Sequence, residues 1–127
     1  MRLALIAHDG RKPEMVTFVL MNKELIKDME LFATGTTGSH LEKSGFKVKR
    51  LLSGPKGGDA QIATMVATKE VDVVFFFRDP LGKHPHEPDV QMLMRICDVH
   101  NVPLATNPAA AKLILTAINL EKNTKVD

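Results

Sequence analysis

Short apolar runs alternate with longer stretches of helically spaced apolar positions, and each apolar run ends in a polar cluster. Residues 3–7, Leu-Ala-Leu-Ile-Ala, predict a buried strand whose carboxyl end meets solvent at His8-Asp9-Gly10-Arg11-Lys12. Pro13 suits the first turn of a helix, and Met15, Phe18, Val19 and Ile26 predict one helix or two broken ones. A strand at residues 31–33 follows, then Thr34-Gly35-Thr36-Thr37-Gly38, then a short helix over residues 39–44 stopped by Gly45. A third strand over 46–52 leads into Ser53-Gly54-Pro55-Lys56-Gly57-Gly58-Asp59. Ile62, Ala63, Met65 and Val66 share one face of a helix expected over 60–69, and residues 71–77, ending in Phe75-Phe76-Phe77, are the most strand-like segment. A proline-rich loop spans 78–89, a helix 90–100 turns Met92, Leu93 and Ile96 inward, and a last strand covers 102–106. Pro108 opens a final helix to about Leu120, leaving residues 121–127 as a polar tail.

Strands alternating with helices predict an α/β fold: a Rossmann-like or flavodoxin-like, doubly wound, mostly parallel five-stranded sheet with helices on both faces. Ligands in such folds bind outside the carboxyl ends of the strands. Every polar cluster follows a predicted strand end, so one edge of the sheet should collect them all.

Composition narrows the functions without naming one. A length of 127 residues, with 44% hydrophobic and 25% charged, fits a single domain with a real core. A net charge of +2 is too slight to imply a nucleic acid or a membrane surface, and six Phe with no Trp or Tyr do not make a base-stacking surface. Neither a membrane span nor a signal peptide is expected. Cys97 is the single cysteine, which rules out an intrachain disulfide and a cysteine zinc cage, and a cytoplasmic address is the expectation. Cys97 and the Met92/Met94 pair read as packing residues, His40 and His100 as surface or packing.

Chemistry concentrates in three clusters. Thr34-Gly35-Thr36-Thr37-Gly38 joins glycines that admit close backbone approach to hydroxyl donors at a helix start, the type of a phosphate cradle. It is neither a dinucleotide fingerprint nor a Walker loop, and a plain capped turn is the alternative. Lys12, Ser53 and Gly54 add donors to the same edge. Gly57-Gly58-Asp59 sets a carboxylate at a helix start, either as a cap or, in a dry site, as a base toward an acidified C–H. His84-Pro85-His86-Glu87-Pro88-Asp89 lacks the spacing of helical metal ligands, so no metal site is assigned. His86 with Asp89 fits an imidazole oriented by a carboxylate, against a plain surface histidine.

Taken together, Ala7-His8-Asp9, Ala33 to Gly38, Ser53 to Asp59, Phe76-Phe77-x-Asp79-Pro80 and Pro85-His86-x-Pro88-Asp89 resemble the methylglyoxal synthase family, over about residues 3–118. The resemblance implies a cofactor-free lyase turning dihydroxyacetone phosphate into methylglyoxal and inorganic phosphate. It implies Asp59 as the base and His86, supported by Asp89, as an aid to proton movement. It also implies His8, Lys12, Thr34, Gly35, Thr36, Thr37, Ser53 and Gly54 around the phosphate and substrate oxygens, with Asp9 and Asp79 as active-site neighbours. A homohexamer inhibited by phosphate is implied as well. Some relatives carry a longer C-terminal extension with an arginine near a neighbouring subunit's phosphate site; here Arg95 is the last arginine, and Lys122 and Lys125 are the tail's cations. The competing reading is a non-catalytic, effector-binding regulatory domain of the same fold, which would have no need of Asp59 with His86 and Asp89. A metal-dependent phosphatase of small phosphoesters is a third.

Overall fold

Arg2–Ala7 (β1), Glu30–Ala33 (β2), Val48–Arg50 (β3), Val73–Phe77 (β4) and Leu104–Ala105 (β5) pair side by side in one sheet of order β3-β2-β1-β4-β5. Every pairing is parallel, with Leu5 opposite Ala33 on one side and Phe75 on the other. This computed structural model describes residues 1–82 and 87–124. The helices are Lys12–Met21 (α1), Lys23–Ile26 (α2), Gly35–Lys43 (α3), Gly58–Ala67 (α4), Glu87–Val99 (α5) and Pro108–Thr124 (α6).

Alternation along the strands sorts the core into two layers. Leu3, Leu5, Val73, Phe75 and Phe77 face Met15, Phe18, Val19, Ile26, Leu41 and Leu115, which puts α1, α2, α3 and α6 on one face. Ala4, Ile6, Val74 and Phe76 face Ile62, Val66, Val90, Leu93 and Cys97, which puts α4 and α5 on the other. Both faces are therefore covered, and β1 and β4 are apolar throughout except at Arg2 because neither side reaches water.

Several boundaries differ from the pattern reading. The helix expected from Ser39 starts at Gly35, so Thr34-Gly35-Thr36-Thr37-Gly38 is its cap and first turn. Glycine is a poor helix former, yet here small size decides: a Cβ on Gly38 would lie 2.6 Å from Arg50 Cγ. β3 is shorter than 46–52 because Lys49 and Arg50 lie on an exposed edge and the chain turns off toward the site after Leu51. α5 starts at Glu87, with Pro88 where a helix tolerates it, so Asp89 belongs to its first turn. α6 continues past Leu120 to Thr124, and Lys122 donates to Asp28 at 2.7 Å. Asp28 precedes β2, so Lys122 is held at the opposite sheet edge from the strand ends where its own chain's polar clusters gather.

Cys97 is fully buried. Burial, and secondarily the charge of Asp98, pushes its thiol up to about 11. Only about a thousandth of it is then thiolate at pH 8, so alkylation of the native protein at that pH should run far slower than of the urea-unfolded chain, followed by mass. Because the folded value lies above the unfolded one, the native state loses stability as pH climbs from about 9 toward 11.

Candidate active site

The site is assembled at the carboxyl ends of β1, β2 and β3, the crevice favoured in doubly wound sheets. His8 leaves β1 with its N–H bonded to Phe77 O at 3.1 Å and its C=O accepting from Arg11 N at 2.8 Å. Its ring is 4% exposed and stands edge-on to Phe76, 5.1 Å between centroids. The Asp79 backbone N–H donates to His8 Nδ1 at 2.9 Å. An imidazole nitrogen that accepts carries no proton, so His8 is held as the neutral tautomer with its proton on Nε2.

Lys12, the first residue of α1, keeps only 17% of its side chain exposed and donates from Nζ to the outlying carboxylate of Asp9. Thr34 caps α3, is 3% exposed, and ties β2 to β1 through its N–H to Leu5 O at 3.3 Å. The first turn of α3 brings Thr36 to the same edge, where a helix start favours anions.

Asp59 is the second residue of α4 and fully buried. The two glycines before it have separate tasks. Gly57 is the N-cap with φ +107°, a left-handed conformation that side chains disfavour. At Gly58 a Cβ would lie 2.0 Å from Leu52 O and 2.9 Å from Thr34 Cγ2, so the absence of a side chain lets α4 press its amino end against the loop after β3. Gly58 N in turn donates to Ser53 O at 2.9 Å. The loop makes a 3-10 turn over Gly54–Lys56 and presents Ser53 and Gly54 beside Asp59.

These groups line one cavity of about 350 Å³. Its walls are His8, Asp9 and Lys12 from the β1 end, Thr34 and Thr36 from the β2 end, and Ser53, Gly54 and Asp59 from the β3 end, with Ile6, Ala7 and Pro55 between them. The volume is at the small end for ligand sites and suits a small molecule. A lysine, a helix start and hydroxyls that share one lining with a buried carboxylate can hold an anion and move a proton in the same space.

A family model described as an MGS-like domain matches residues 14–106. Methylglyoxal synthase of Carboxydothermus hydrogenoformans is 55% identical over 120 residues, covering 94% of this chain and 99% of that one. The chain belongs to the methylglyoxal synthase family. It is an enzyme of the lyase class, and the reading as a non-catalytic regulatory domain gives way. Methylglyoxal synthase of Moorella thermoacetica is likewise 56% identical over 116 residues, 91% of either chain. The crystal structure of methylglyoxal synthase from Elizabethkingia anophelis NUHP1 matches with a TM-score of 0.85 and 43% identity, over 90% of this chain and 76% of that one. The α/β sheet described above is thus the fold of a methylglyoxal synthase.

Not every residue singled out in the sequence reaches the cavity of this methylglyoxal synthase. Gly35 lies behind its wall, its N–H bonded to Leu52 O at 3.2 Å. Thr37 is fully buried, with no hydrogen-bond partner for its hydroxyl among the described residues, and does not line the cavity. Asp79 stands behind His8, where its carboxylate accepts from Leu81 N at 3.1 Å. Asp89 is half-buried in the first turn of α5, outside the lining. His86, and His84 with it, lie outside the described residues. Ile6, Ala7 and Pro55 are not among the site residues expected from sequence, although Ala7 and Pro55 stand inside the motifs that carry the resemblance. Ile6 and Ala7 are legible as the last residues of a strand whose end forms the site, and Pro55 as an opening residue of the 3-10 turn.

Proposed function

We propose that this methylglyoxal synthase converts dihydroxyacetone phosphate into methylglyoxal and inorganic phosphate through an enediolate, without metal or other cofactor. The observation that carries the reading is the fully buried Asp59, which lines the same cavity as Lys12, Thr36, Ser53 and Gly54. Asp59 takes a proton from the hydroxymethyl carbon beside the ketone, and the electron pair moves to the ketone oxygen. Such a carboxylate is a weak base in water; burial and a fixed position next to an acidified C–H make it competent. The neutral His8, donating from Nε2, and the hydroxyls stabilise the developing oxygen charge. The enediol hydroxyl then loses its proton, the new double bond shifts, and the C–O bond to phosphate breaks. The resulting enol tautomerises to methylglyoxal. His86, oriented by Asp89, carries the protons of the enediolate oxygens.

Elimination requires the departing C–O bond to stand out of the enediolate plane, overlapping its π system. Lys12, the α3 amides, Thr34, Thr36, Ser53 and Gly54 hold the phosphate at that torsion and take up its charge as it leaves, a positioning effect. Product phosphate binds the same donors, so it inhibits. The working form is a homohexamer and its address cytoplasmic; light scattering of the purified protein tests the first. Among the described residues no helix is long and apolar enough to cross a membrane.

The deciding experiment incubates the protein with dihydroxyacetone phosphate and excess EDTA and assays both products. Equal methylglyoxal and phosphate are expected. Phosphate alone would mean a phosphatase instead. Thr36→Ala, which removes one hydroxyl from the phosphate side, should raise the inhibition constant of phosphate and the KM together by about tenfold, as loss of one charge-assisted hydrogen bond does. An unchanged inhibition constant would place the phosphate elsewhere.

A further inference from the structure

We infer that Gln61 is a positioning residue for catalysis, holding the loop that carries Ser53 and Gly54 in register with Asp59; the inference rests on the phosphate reading of that loop. Gln61 lies on α4 two residues after Asp59, exposed and outside the cavity lining. Its Oε1 accepts the Leu52 backbone N–H at 2.8 Å. The same Leu52 peptide unit is engaged from other sides: Leu52 O accepts Gly35 N–H of α3 at 3.2 Å, and Gly58 of α4 packs against that carbonyl with no room for a Cβ. Leu52 is therefore the point where α3, α4 and the loop meet. Its carbonyl accepts the Gly35 N–H and abuts Gly58, whereas among the described residues its N–H is held by the Gln61 side chain alone.

That arrangement has a consequence for the reaction. Ser53 and Gly54 follow Leu52 directly, and Asp59 is on the helix that bears Gln61, so the Gln61 bond spans the separation between the phosphate and the base. Beyond β3, whose last sheet-type bond is Leu51 N to Ala33 O at 2.8 Å, the loop is tied to the start of α4 by Gly58 N to Ser53 O at 2.9 Å and Gly57 N to Gly54 O at 3.0 Å, and Gln61 anchors it one residue earlier, at Leu52. Losing the Gln61 acceptor frees the Leu52 N–H to bond water on the exposed side and lets Ser53 and Gly54 shift. Folding survives, but alignment of the C–O bond to phosphate does not.

The test compares Gln61→Met, which keeps length and removes the acceptor, with Gln61→Glu, which restores an acceptor oxygen at the same reach. Gln61→Met should lower kcat/KM by about tenfold or more, through both a higher KM and a lower kcat, and weaken binding of inorganic phosphate in calorimetry, with Tm close to wild type. Gln61→Glu should recover most of the kcat. Unchanged KM and phosphate affinity in Gln61→Met would overturn the inference, as would equal impairment in both variants. So would a lower kcat that merely tracks a fall in Tm at constant KM, which is the signature of a structural role. If the wild-type protein forms no methylglyoxal, the proposed reaction fails and phosphate affinity decides alone. Weaker phosphate binding in Gln61→Met would then sustain the positioning role, and equal or absent binding would end it.

Discussion

Asp59→Asn should leave a folded protein that forms methylglyoxal at least about 10²- to 10⁴-fold more slowly, the range for a lost general base. The substitution is nearly isosteric, and an amide can occupy a helix start, so the fully buried position keeps its packing. What disappears is the basic oxygen pair. Asparagine cannot take a proton from carbon, and no other carboxylate of the described residues combines full burial with a place in the cavity wall, since Asp9 is exposed at the rim. Phosphate affinity should be preserved or increased, because a negative charge leaves the pocket. Steady-state kinetics, circular dichroism and phosphate calorimetry on the same preparation check all of this. Turnover near wild type with intact folding would remove Asp59 from the proton transfer.

Gly58→Ala should do comparable damage by a different route. The added methyl would fall 2.0 Å from Leu52 O and 2.9 Å from Thr34 Cγ2, and the first of these is backbone that cannot rotate aside. Either α4 withdraws or the loop after β3 is displaced. Overpacking of this kind costs about 1–3 kcal/mol or more, which for a chain of this length lowers Tm by roughly 10 °C. Since Asp59 is the next residue and Ser53 the next after Leu52, both halves of the site move apart, and turnover should fall by about 10²-fold. Gly10→Ala is the stability control: among the described residues its Cβ would meet only Asp79 Oδ2, at an ordinary 3.5 Å. Should Gly58→Ala melt and turn over like wild type, the tight junction at Leu52 has no bearing on the site.

Much of the architecture was legible because it is written in local patterns. Continuous apolar runs in β1 and β4 can exist only where both sheet faces are covered, and the helical spacing of Met15, Phe18 and Val19 or of Ile62, Ala63 and Val66 marks the faces that cover them. Element ends were less legible. Gly38 in the first turn of α3 lies against Arg50 of a neighbouring strand, β3 is short at the sheet edge, and Lys122, past the expected end of α6, pairs with Asp28. None of those partners is near in sequence.

The candidate site divides in the same way. Residue types and their order along the chain determined by themselves which strand ends carry donors and where a carboxylate follows two glycines, because helix capping, left-handed turns and anion-binding helix starts are local properties of the backbone. Only the tertiary structure decided that Asp59 is buried in the cavity wall while Thr37 is buried away from it, since the side of a helix turn that meets the cavity depends on what packs against it. It also decided that His8 is neutral, through a backbone N–H from Asp79 that lies 71 residues along the chain. Likewise it made Leu52, unremarkable in the sequence, the contact point of two helices and a loop. Hydrogen bonds and steric contacts act over a few ångströms of space, and parallel strands bring into that range residues that the chain itself keeps far apart.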